Sequence, residues 1–78
     1  MATTYNSAVL DFRRFGYLAY VYSGTRLELE VLQSRAGFYV GTVRDDMPCS
    51  RESNEYYLSN EAALEAMVKD TWTQKVAP

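Results

Sequence analysis

The sequence predicts an α+β fold: a three- to four-stranded antiparallel meander packed against a C-terminal helix, preceded by a short N-terminal helix. Three observations carry this. Arg26 to Gln33 reads R-L-E-L-E-V-L-Q, with Leu27, Leu29 and Val31 alternating with Arg26, Glu28 and Glu30. Period two marks a strand with one wet face and one buried face, whereas a helix would scatter those apolar side chains around its axis. Near the C-terminus, Leu64, Met67, Val68 and Trp72 recur at helical spacing behind Ser59, a residue suited to capping a helix. Strands grouped between helices, as here, build layered α+β domains.

Taken in order, Met1 to Asn6 is polar and expected to fray. Ser7 to Phe15 reads better as a helix than as a strand. Ala8, Val9, Phe12 and Phe15 share a helical face, Gly16 ends it, and Arg13 and Arg14 sit where the helix dipole favours cations. As a strand it would group Leu10, Phe12 and Arg14, a poor face. Tyr17 to Tyr22 is aromatic-rich and is expected to be the first strand. Ser23-Gly24-Thr25 forms the turn, with Gly24 available for positive φ. Arg26 to Gln33 follows as the central strand. A turn at Ser34 to Gly37 leads to a third strand, Phe38 to Arg44. Gly41 in its middle suggests a close approach, assigned to the C-terminal helix.

Asp45 to Asn54 is expected to be a loop, because Pro48 and its Asp, Ser and Asn neighbours favour turns. Glu55 to Leu58 is a candidate fourth strand. Ser59 then caps a helix from about Asn60 to Gln74, with Glu61 near the start and a Glu65–Lys69 pair at i, i+4. Leu27, Leu29 and Val31 should face Leu64, Met67, Val68 and Trp72. Leu29 should be nearly fully buried.

At 78 residues the chain is a single domain, one that buries roughly 60% of its unfolded surface. An aromatic content of 14% sets it apart from disordered chains. Seven tyrosines exceed what so small a core encloses. The surplus either lines a half-exposed sheet face or serves an interface, where tyrosine is enriched. Net charge is −2 and only Arg13 and Arg14 are adjacent bases, so the basic stripe of a duplex binder is missing. Tyr17 to Tyr22, the longest apolar run, is too short to span a bilayer. With no leader sequence evident, a cytoplasmic location is expected.

Catalytic and metal constellations are thin. Cys49 is the lone cysteine and there is no histidine, so a thiolate would lack its usual base, and one chain cannot assemble a zinc site. Asp45, Asp46, Glu52 and Glu55 lack the spacing of a calcium loop. The four glycines form no phosphate-binding motif. No cofactor is expected. The order helix, three strands, helix is shared with double-stranded RNA-binding domains. That family's second helix opens with phosphate-gripping lysines, whereas this one opens Ser59-Asn60-Glu61-Ala62.

Gly37 to Thr42, Pro48, Ser50-Arg51-Glu52-Ser53, Glu55-Tyr56-Tyr57, Glu61-Ala62-Ala63 and Trp72-Thr73-Gln74 together resemble small uncharacterised proteins of bacterial plasmids, prophages and integrative elements. The resemblance covers Gly37 to Gln74. It implies a bacterial or phage setting and brings no catalytic residue with it.

The Ser50 to Tyr57 segment reads first as a loop that locks the third strand to the last helix, and second as a recognition loop on a rigid scaffold. The expected function is a non-enzymatic protein-interaction module. Tyr20, Tyr22 and Tyr39, on an open sheet face, and Arg51 are the candidate contact residues. The expected partner is another protein or a second copy, paired through the Tyr17 to Tyr22 edge. Membrane association is not expected. The alternative is a nucleic-acid-binding domain of αβββα type using Arg13, Arg14, Arg26 and Arg44.

Overall fold

The computed structural model describes residues 14–78. In it, helix α1 (Tyr17–Ser23) is followed by strands β1 (Glu30–Ser34), β2 (Gly37–Arg44) and β3 (Met47–Arg51), and by helix α2 (Asn60–Lys69). The strands form one antiparallel meander in the order β1-β2-β3. The expected α+β class, meander and flanking helices are all present, but individual segments play different parts. The helix expected over Ser7 to Phe15 lies outside the described residues, except at its end. There Phe15 bridges Glu28 in antiparallel fashion.

Tyr17 to Tyr22 is helix, not strand. Its β-propensity is overridden at both ends: Gly24 takes the left-handed conformation (φ 72°) and closes the helix onto the Tyr20 carbonyl, and a distant carboxylate caps the start. Propensity is a weak prior against such tertiary contacts. The aromatic edge strand therefore disappears, and with it the argument for pairing two copies along that edge.

The central strand is β2, not Arg26 to Gln33. The alternation in that segment is real: Leu27, Leu29 and Val31 are half-buried, and Arg26, Glu28 and Glu30 are exposed. Only Glu30 onward joins the sheet, as an edge, with Val31 opposite Val40. Its earlier part is held instead by Arg14 to Gly16: Leu29 N–H donates to the Arg14 carbonyl (2.9 Å) and Gly16 N–H to the Leu27 carbonyl (2.8 Å).

The expected Asp45–Asn54 loop contains β3. Asp45 and Asp46 both have positive φ (54° and 65°) and close a two-residue hairpin, the geometry whose twist matches paired strands. Pro48 is tolerated because β3 is an edge. Thr42 pairs with Ser50 but Val43 with Pro48, so Cys49 is the extra residue of a β-bulge. Glu52 and Ser53 remain bonded to Val40 of β2; past them the chain bows away and returns at Tyr57, which exchanges hydrogen bonds with Phe38 (2.7 and 2.9 Å). The fourth strand expected over Glu55 to Leu58 is reduced to this bridge.

Helix α2 is capped by Ser59, whose Oγ accepts the Ala62 amide (3.0 Å), and carries the expected Lys69–Glu65 pair (2.7 Å). It stops at Asp70 (φ 59°), short of Gln74. Thr71 N–H donates to the Ala66 carbonyl, the bond that closes a left-handed helix terminus. The core joins Val40, Ala66 and Trp72, with Leu29, Tyr57 and Met67 against them.

Leu64 and Val68 are exposed, contrary to expectation. The buried helical positions are Ala63 and Ala66, whose small side chains let α2 sit close to the sheet. Gly41 answers to a different neighbour than α2. A Cβ there would strike the Ser50 carbonyl of β3 and lie 2.8 Å from the Tyr39 ring. Leu29 is half-buried rather than enclosed. Leu29→Ala should accordingly cost about 1–2 kcal/mol, below the range of a fully buried leucine; a urea midpoint is the measurement.

Candidate functional site

The most ordered polar constellation centres on Glu52, which is fully buried (0% exposed). Its carboxylate accepts four hydrogen bonds. Leu18 N–H (2.9 Å) and Ala19 N–H (3.0 Å) come from the first turn of α1. Ser50 Oγ (2.6 Å) comes from β3, and Gln74 Nε2 (2.7 Å) from the C-terminal tail. Ser50 spends its proton on Glu52, so Thr42 Oγ1 donates to Ser50 Oγ (2.6 Å). No cation among the described residues takes part. The carboxylate instead satisfies the unpaired amides of a helix start, where the helix dipole also favours negative charge. Gly16, just ahead of α1, has no capping side chain of its own. Glu52 supplies the cap from across the fold.

The following residues extend the lock. Glu52 N–H and Ser53 N–H both donate to the Val40 carbonyl (2.8 and 3.0 Å). Ser53 Oγ accepts the Val40 amide (3.1 Å) and donates to the Glu55 carbonyl (2.8 Å). The C-terminal tail runs antiparallel to this segment: Asn54 N–H donates to the Thr73 carbonyl and Lys75 N–H to the Glu52 carbonyl. The Glu55 carboxylate accepts the Thr73 amide at 2.9 and 3.1 Å. Partial burial pushes the Glu55 carboxyl up, but hydrogen bonds from Thr73 outweigh it and hold the group below its ordinary value.

The sign of the linkage follows. A depressed folded-state value means that Glu55 contributes stability above the ordinary value of 4.5, and that this is lost as pH falls through the lower folded value. Glu55→Gln should therefore lower stability at pH 7, with the gap to wild type closing as pH drops below about 4.5. Urea midpoints measured as a function of pH check this.

The four candidate contact residues scatter. Tyr20 and Tyr22 are exposed as expected, Tyr22 at 61%, but on α1 rather than on a sheet face. Tyr39 is buried at 7%, edge-on to Tyr56 with ring centroids 5.9 Å apart, and burial pushes its phenol up. It offers no surface. Arg51 is half-buried. Its Nη1 donates to the Ser53 and Asn54 carbonyls (2.7 and 3.0 Å), and its guanidinium covers the Tyr56 ring at 4.5 Å. The segment ties β2 and α1 to the C-terminal tail, rather than the third expected strand to the last helix.

Tyr22 and Arg51 do share one feature. Both line a groove of about 300 Å³ between α1, β3 and the C-terminal tail, with Leu18, Ala19, Cys49 and Lys75. A second cleft, of about 270 Å³, lies between Leu29 and the Met67–Val68 side of α2. Among the described residues no group of His, Cys, Asp and Glu is placed to hold a metal ion, and no helix is long and apolar enough to cross a membrane. No protein-family model, curated protein or solved structure matches the chain.

Glu52 was missed at the sequence level because ten acids look alike without their partners. A usable signal was present: hydroxyl residues at both Ser50 and Ser53 around one glutamate, in a segment that also holds an edge proline.

Proposed function

We propose that the domain is a non-enzymatic protein-interaction module of a small bacterial or mobile-element protein, and that its contact surface is the outer face of α1 with the groove beside it. The supporting observation is the exposure of Tyr20, Val21 and Tyr22 around α1, with Tyr22 one turn beyond the buried Leu18 and at the edge of the groove. Clustered exposed aromatic and aliphatic side chains are a feature of interaction sites. The buried carboxylate of Glu52 supports the non-enzymatic part, since its four hydrogen bonds commit it to joining α1, β3 and the tail.

A photo-crosslinking residue in place of Tyr22, expressed in bacterial cells, tests the reading. A discrete crosslinked protein, absent when the same residue replaces the exposed Leu58, is the expected result. Identical patterns at both positions would refute it.

A nucleic-acid role draws on one observation, the helix, three strands, helix order of the described elements. Against it, Arg26 lies over the Phe15 ring at 4.7 Å, Arg51 is tied to backbone carbonyls, and Lys69 is paired with Glu65. Arg44 stands at the far end of the β2–β3 hairpin and Arg13 lies outside the described residues. A gel-shift titration showing micromolar affinity with a steep salt dependence would revive it.

A further inference from the structure

Resting on the protein-interaction reading, we propose that the groove between α1, β3 and the tail receives an acidic–apolar peptide segment of the partner. One aliphatic or aromatic side chain seats on Leu18, Ala19 and Tyr22, and a neighbouring Asp or Glu meets Lys75. The argument is charge complementarity. The chain carries more acids than bases, ten against eight. Yet among the described residues the groove's lining includes two cations, Arg51 and Lys75, and no acidic side chain. The Glu52 carboxylate is sealed behind this wall at 0% exposure.

The two cations differ. Arg51 is held in place by its bonds to the Ser53 and Asn54 carbonyls. Lys75 is fixed at its backbone by the bond from its N–H to the Glu52 carbonyl (2.7 Å). Lys75 lines the groove and is in no salt bridge among the described residues, where the pair seen is Lys69–Glu65. The bulge at Cys49 breaks the β2–β3 register beside the groove, a device that re-aims side chains.

Size and setting favour a peptide over a free small molecule. At about 300 Å³ the groove is at the bottom of the range for small-molecule sites, enough for one or two side chains. Its apolar wall ends in the exposed Tyr22, giving a chain segment further surface to lie along.

The experiment selects binders from a display library of random dodecapeptides against the whole domain, then measures affinity by fluorescence anisotropy. Groove occupancy is mapped by amide chemical shifts, with 3-phenylpropionate as the small-molecule control. Recovered peptides should carry Asp or Glu next to an aliphatic or aromatic residue and shift the Tyr22, Ser23, Cys49 and Lys75 amides. Lys75→Met, which keeps the stem and removes the charge, should weaken binding by up to about fivefold. Tyr22→Ala, at an exposed position, should weaken it without altering the circular dichroism.

Acid-free peptides, or equal affinity for Lys75→Met, would overturn the proposal. So would shifts confined to the Leu64 and Val68 face, although that outcome would leave the protein-interaction reading intact. No peptide binding alongside groove shifts with 3-phenylpropionate would overturn the peptide as occupant. No binding to any face, together with no crosslinked partner at position 22, would remove both readings.

Discussion

Glu52→Ala is expected to remove about 3–5 kcal/mol of stability, because it leaves several buried neutral donors without an acceptor at about 1–3 kcal/mol each. The substitution deletes the acceptor of four donors: the Leu18 and Ala19 amides, the Ser50 hydroxyl and the Gln74 amide. Each buried donor left unpaired costs about 1–3 kcal/mol, and the costs do not simply add because water can enter the vacated space. A domain of this size draws on a total of about 5–15 kcal/mol and sits toward the lower end. The variant should therefore be partly unfolded at 25 °C, with a urea midpoint near zero. A stability loss below about 1 kcal/mol would mean that water replaces the carboxylate without penalty.

Glu52→Gln sharpens the test. It keeps the shape of the side chain but turns one acceptor oxygen into a donor, which then faces a donor. Its damage should be local. Hydrogen-exchange protection should fall at Leu18 and Ala19, while the β1–β2 ladder around Val31 and Val40 keeps its own. Uniform loss across the sheet would show that the network supports the whole fold, not the docking of α1.

The same network explains which parts of the structure were legible in the sequence. The alternation of Leu27, Leu29 and Val31 is a local property and it survives in the fold. The Ser59 cap and the Glu65–Lys69 pair are likewise set by neighbours three or four residues away. Helix α1 is not local. Its first turn is completed by a residue 33 and 34 positions later, and the tyrosines and valine within it point toward a strand when read alone. β3 was hidden for the opposite reason. Its proline and polar residues resemble a loop, and a bulged edge strand tolerates them.

On α2, size rather than hydrophobicity chose the buried face: Ala63 and Ala66 lie against the sheet while Leu64 and Val68 face outward. Of the candidate contacts, Tyr20 and Tyr22 kept their exposure, although the element carrying them changed from strand to helix. Tyr39 lost its exposure because it sits on the central strand, where Gly41 leaves room for its ring.

Gly16→Ala should cost about 2–3 kcal/mol, toward the upper end for overpacking a tight interior. Backbone strain is not the reason, because φ −70° and ψ 118° suit alanine. A Gly→Ala change at a compatible backbone would ordinarily stabilise by about 0.4–1 kcal/mol through the unfolded chain. Here the added Cβ would lie 2.5 Å from Thr42 Cγ2 and 2.6 Å from Glu52 Oε2. Neither can retreat easily: Thr42 is bonded to Ser50, and Glu52 is held by four donors.

Gly24→Ala is the control. Nothing lies within 4 Å of a Cβ there, but φ is +72°, so its cost should be the smaller, left-handed penalty of about 1 kcal/mol. Thr42→Ser supplies the decisive cycle, since it removes the methyl that the new Cβ meets and keeps the hydroxyl that bonds Ser50. Combined with Gly16→Ala it should recover part of the loss, giving a favourable coupling of about 0.5–1 kcal/mol. Strictly additive effects would mean that Gly16 is required for something other than the room it leaves beside Thr42 and Glu52.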